Sequence, residues 1–217
     1  MAAEMVDARL PVLNRLATTT GRTDDAPNKK LAVELVASRD GKAIKELVDN
    51  LSNKDKGIQS DCIKVLYEIG ERDPELIATY HEEFGRLLAS KNNRLVWGAM
   101  TALDSIAAVK PKEVHGLLPQ IIEKANTGSV ITRDHAVGIL AKLASLKEYS
   151  NTCLPLLLDQ LRRCPNNQFP MYTEISASVI GQTNRAEFVD LMREKLRKLE
   201  KESQRRRVQK VLSKFTA

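Results

Sequence analysis

Three stretches of this chain repeat one another at a spacing of 37 residues, and that period constrains the fold more than any other feature. KDKGIQSDCIKVLYEIGERDPELI begins at Lys54, KNNRLVWGAMTALDSIAAVKPKEV at Lys91 and GSVITRDHAVGILAKLASLKEYSN at Gly128, each start 37 residues after the last. Aligned without gaps, they place Ile63 with Met100 and Val137, Val65 with Ala102 and Ile139, Leu66 with Leu103 and Leu140, and Ile69 with Ile106 and Leu143. Apolar groups recurring in this way give a helix one wide buried face. Two further columns are small: Cys62, Ala99 and Ala136, then Gly70, Ala107 and Ala144. Small side chains at matched positions let neighbouring helices approach closely.

A turn and a second helix follow each of these segments. Asp73-Pro74 and Lys110-Pro111 are matched turn signals, with proline suited to a first helical position. The spacing predicts single second helices over PELIATYHEEFGRLLAS, PKEVHGLLPQIIEKAN and EYSNTCLPLLLDQLRRC. A two-helix unit of this length cannot bury its own apolar face, so neighbours must stack side by side. The best units span 54–90, 91–127 and 128–165, with weaker ones at 28–52 and 168–201 and a basic helix over 203–215.

This pattern resembles the HEAT repeat, with armadillo as its near relative. The small-residue first helices (GAMTAL, HAVGIL), the proline at the turn, and the LLPQII and CLPLLL second helices carry the resemblance. It implies an all-α, right-handed α-α superhelix, a HEAT-like solenoid of about five helix pairs plus a C-terminal capping helix. The whole of 1–217 is then expected to be one repeat domain. The regular ladder of Asp and Arg that such families set between repeats is not visible here.

Composition narrows the function. No run of about 18 apolar residues exists to span a membrane. The opening MAAEMVDARLPVLNRLATTT mixes charge into its apolar pattern, unlike a secretory signal. Cys153 and Cys164 are set on one helix about 16 Å apart, whereas a disulfide needs Cα atoms within about 7 Å. With Cys62 they are expected to be reduced core thiols of a cytoplasmic protein. No Cys or His pair has zinc spacing, and no nucleophile elbow, phosphate loop or dinucleotide fingerprint occurs. No enzyme chemistry, cofactor or metal is therefore expected. A base-excising enzyme on a HEAT-like frame would need an aromatic-lined, basic cleft, and the few aromatics here are scattered.

Two surfaces remain as candidates. Trp97, the chain's single tryptophan, lies about 160° around its helix from Ala99. It is expected off the core on an outer, convex row, either flat against its own helix or a neighbour's loop, or anchoring a partner. On the second helices Glu75, Glu82, Arg86, Lys112, His115, Glu123 and Asp159 are expected to line a concave face of mixed charge, suited to a protein or peptide. The net charge of +6 is concentrated at the end. Residues 193–217 hold ten Lys or Arg against three Glu. There Arg205, Arg206, Arg207, Lys210 and Lys214 are candidates for an acidic protein, a nucleic-acid backbone or an anionic surface, unless the helix simply caps the array. The expected function is a non-catalytic protein-binding scaffold, with nucleic-acid binding through the basic end as the alternative.

Overall fold

A computed structural model describes residues 11–216, and the secondary structure of those residues is helical without a strand. The first half of the opening stretch read above as unlike a signal lies in residues 1–10, outside the described residues. The helix pairs run in chain order. α1 (Ala26–Ser38) and α2 (Gly41–Asp49) form the first, and α3 (Lys56–Arg72) precedes α4 (His81–Leu87). α5 (Asn93–Ile106) leads to α6 (Pro111–Gly116) and α7 (Leu118–Thr127). α8 (Val130–Ala144) is followed by α9 (Lys147–Arg163), α10 (Phe169–Ser176) by α11 (Gln182–Leu196), and α12 (Glu202–Thr216) comes last. This is an all-α helical-repeat fold. The chain divides into two compact units, one ending at Lys124 and one beginning at Ala125.

Local chemistry sets where the helices start. Asp40 accepts the backbone N–H groups of Lys42 and Ala43, and Asp55 those of Gly57 and Ile58. Asn92 caps α5 through Arg94 N–H, and Ser129 caps α8 through Thr132 N–H. Each cap satisfies helix-end donors that would otherwise lack an intrahelical partner. Pro27, Pro111 and Pro170 stand in the first turns of α1, α6 and α10, where a missing N–H removes nothing.

In the first unit α1 packs on α3 and α3 on α5, with α2 behind α3 and α4 behind α5. The aligned columns are the core: Cys62, Ala99, Val65, Ala102, Leu66, Leu103, Ile69 and Ile106 are all fully shielded from solvent. The close approach expected of the small column occurs at Gly70, where an added Cβ would lie 2.4 Å from Ser105 Oγ and 2.5 Å from Ile77 Cδ1. Gly98 is also closely packed, since its Cβ would meet Ile63 Cγ1 at 2.7 Å and Cγ2 at 3.1 Å.

The second unit packs α8 on α9 and α10 on both, and seats α12 on α10 and α11. Val137, Ile139, Leu140 and Leu143 are fully buried there, as are Phe169, Tyr172 and Phe188. Cys62, Cys153 and Cys164 are free and buried. Burial pushes the Cys62 thiol up to about 12 and those of Cys153 and Cys164 to about 11, so all three stay protonated at neutral pH.

Two expected single helices are broken. Residues 74–80 form two 3-10 turns, Pro74–Leu76 and Ala78–Tyr80, before α4 begins. Ile77 is drawn against Gly70, and Thr79, Tyr80 and His81 are weak helix formers, so three-residue turns replace a continuous helix. The next second helix breaks at Leu117, where Pro119 lacks the N–H that would bond the His115 carbonyl. Only α9 runs unbroken, and it carries the exposed Pro155 inside it.

Irregular polar contacts tie neighbouring repeats together within each unit, in place of a regular Asp and Arg ladder. Asp61 accepts Asn28 Nδ2 at 2.8 Å, Gln59 accepts Asn92 Nδ2 at 3.4 Å, and Asp73 pairs with Arg39 at 2.6 Å. In the second unit Asp134 accepts the Tyr172 hydroxyl at 2.7 Å, and Asn126 accepts Gln160 Nε2 at 2.9 Å. The partners stand 33 to 38 residues apart, about one repeat, but no rung uses the same pair of residue types at the same position. A period search over residue identity therefore passes over them.

Candidate functional site

Trp97 is off the core, as its wheel position requires, but its surroundings differ from those expected. It is half-buried, and its ring sits 6.2 Å from that of Tyr67 on α3, tilted by 46°. Gly98 makes this contact possible, because α5 can then close on Ile63 one position from the indole. Together with Asp25, Asn28, Asp61, Lys64 and Arg94 the two rings line a cavity of about 320 Å³ along α1, α3 and α5.

Tyr67 and Lys64 come from α3, one repeat before Trp97, so the sequence around Trp97 does not point to them. Tyr67 is one repeat earlier than Asp104, and nothing in its own segment marks it. Asp25, just before α1, also lines this cavity.

The cavity wall is electrostatically knit. Lys64 Nζ sits 4.7 Å from the Tyr67 ring centroid and contacts Glu68 at 2.6 Å and Asp25 at 3.2 Å. Burial works against the Lys64 ammonium, but its bonds to Glu68, Tyr67 and Asp25 outweigh this and hold its pKa above the ordinary lysine range. Burial would raise the Glu68 carboxyl, yet Lys64 and Arg72 more than offset it and hold it below the usual range. Asp25 is lowered by its bonds to Lys29 and then Lys64. Asp61 accepts the Thr18 backbone N–H at 2.7 Å through Oδ2 and Asn28 through Oδ1.

The second-helix candidates are only partly brought together. Glu82, Arg86 and Glu123 line a shallow groove of about 540 Å³ with Leu117 and Gln120. Glu75 and Lys112 are exposed and stand outside that lining. His115 is half-buried with Nε2 withdrawn from solvent, so it is not presented as expected. Asp159, in the second unit, pairs with Arg163 along α9 at 2.9 Å.

At the basic end Val208 and Val211 are buried, so α12 docks through its apolar face. Arg206 meets Glu202 at 3.1 Å. Arg207 reaches Glu174 of α10 through both nitrogens, at 2.8 and 2.6 Å, which lowers the Glu174 carboxyl and raises the guanidinium. Arg205, Lys210 and Lys214 remain exposed. Among the described residues no group of His, Cys, Asp and Glu stands close enough to hold a metal, and no helix is long and apolar enough to cross a membrane.

No protein-family model and no curated protein sequence matches this chain. Solved structures do. A designed armadillo repeat protein in complex with the peptide (KR)4 is similar at a TM-score of 0.64 and 17% identity, covering 96% of this chain and 100% of its own. A computationally designed armadillo repeat protein for modular peptide recognition gives 0.67 at 14% identity, over 93% of this chain and 97% of that one. An engineered protein gives 0.62 at 20%, over 94% and 98%. The fold is therefore of the armadillo/HEAT-like helical-repeat kind.

Proposed function

We propose that this chain is a non-catalytic protein-binding scaffold, and that the cavity along α1, α3 and α5 receives an extended segment of a polypeptide partner. The observation that carries this reading is the Trp97–Tyr67 pair. Two half-exposed or nearly buried rings from successive repeats wall a polar cavity of about 320 Å³, a volume suited to one or two peptide side chains. Rigid aromatics at the centre of a desolvated patch are the usual anchors of interfaces. The designed armadillo proteins of similar fold lend support, since one was solved with a peptide and another made for peptide recognition.

Catalysis is not favoured by the same geometry. The cavity's serine, Ser60, gives its hydroxyl to the Lys56 carbonyl of its own helix at 2.7 Å rather than to a base. Lys64 is held protonated by its carboxylates and so lacks a lone pair for attack.

The test uses Trp97 itself. A phage-displayed random-peptide library is panned against the full chain, and selected peptides are titrated by intrinsic fluorescence, which the single indole dominates. Trp97→Ala, followed by calorimetry, is expected to weaken binding at least about tenfold while the helical melt stays cooperative. Selected peptides that bind Trp97→Ala as tightly as the unmodified chain would overturn the proposal.

A further inference from the structure

The cavity beside Trp97 already contains a cation of its own. Lys64 stands over the Tyr67 ring and takes up the Asp25 carboxylate, which Lys29 also pairs at 3.1 Å. An aromatic face and a carboxylate are what a basic side chain of a ligand would seek, and here both are occupied from within. Each carboxylate oxygen of Asp61 already accepts an N–H.

What stays open is a pair of donors. Arg94 lines the cavity, is exposed, and makes no ion pair or hydrogen bond with the described residues. The Trp97 indole N–H, three residues further along α5, likewise has no acceptor among them. Positions three apart on a helix face the same way. A guanidinium fork and an indole N–H on one face match a carboxylate, and a charge-assisted bond to Arg is the stronger kind.

We infer that the cavity selects a partner segment bearing an acidic side chain, whose carboxylate is held by Arg94 and the Trp97 indole N–H. This rests on the scaffold reading above. It sets the charge preference of this site opposite to that of the similar designed protein that holds (KR)4. Asp61 disfavours a second negative charge nearby, so the acidic group is seated toward Arg94.

The experiment compares three short capped peptides that differ only in carrying Glu, Gln or Lys at every second position. Each is titrated into the full chain by Trp97 fluorescence at low and high salt. The Glu peptide is expected to bind about tenfold tighter than the Gln peptide, with the gap narrowing as salt rises. The Lys peptide is expected to bind weakest. Arg94→Gln should abolish the Glu preference and Arg94→Glu should reverse it toward Lys, with circular dichroism showing both variants folded. Tightest binding of the Lys peptide, or an unchanged Glu preference in Arg94→Gln, would overturn the inference. If none of the three binds while library-selected peptides still bind through Trp97, the carboxylate assignment falls and the scaffold reading stands. If those fail too, both fall.

Discussion

At the residue scale, two glycines that look alike in sequence do different work. Gly98→Ala forces a Cβ to 2.7 Å from Ile63 Cγ1, part of a β-branched side chain with little rotational freedom. The variant should lose about 1–3 kcal/mol despite alanine's better helix propensity, because overpacking outweighs it. Gly70→Ala meets Ser105 Oγ and the end of Ile77, which can turn aside, and should lose less. Urea denaturation of the two variants side by side checks the order. Glu68 gives a pH prediction. Its folded pKa lies below its unfolded value, so the stability it contributes is present above the ordinary carboxylate range and lost as pH falls through the folded value. Melting temperature should therefore drop as pH falls below about 4, and Glu68→Gln should flatten that dependence while costing on the order of 1–3 kcal/mol at neutral pH. A profile as steep in the variant as in the unmodified chain would refute this. Of these residues, the sequence marked Gly70 by its column. Gly98, aligned with Asp61 and His135, was legible only once α5 was seen against Ile63.

At the element scale, the first helices of the repeats follow their periodicity, and the second helices depart from it where proline or tertiary packing intervenes. Pro119 stops α6 short of α7, yet Pro155 is carried inside an unbroken α9. The difference is position: Pro119 is the second residue of its helix, whereas Pro155 is interior and is held there by the packing of Cys153, Leu154, Leu157 and Leu158. An interior proline costs a helix about 3 kcal/mol relative to alanine. Pro155 is exposed, so Pro155→Ala should raise stability by about 1–3 kcal/mol without disturbing the buried face. A thermal melt unchanged or lowered in that variant would mean the bend it imposes is itself required by the packing of α9.

At the scale of the whole molecule, α12 shows what holds the second unit together. Val208 and Val211 are buried against the second unit, while Arg205, Lys210 and Lys214 lie in solvent. Val208→Asp should therefore destabilise that unit by several kcal/mol, since it places an unpaired carboxylate at a site with no exposure. Replacing Arg205, Lys210 and Lys214 together by Glu should change the melting temperature little. Differential scanning calorimetry separates the two. A large loss from the surface triple would show that this charge stabilises the fold.

The helical class, the repeat length and the registers of the first helices were determined by the order of apolar and small residues, because a helix repeats its facing every 3.6 residues and a stacked unit repeats its contacts every 37. The broken second helices, the polar rungs and the cavity beside Trp97 were decided by tertiary structure. Each depends on which side chain of one repeat meets which side chain of the next. Asp61 finds Asn28, and Trp97 finds Tyr67, through contacts between helices that no single helix encodes.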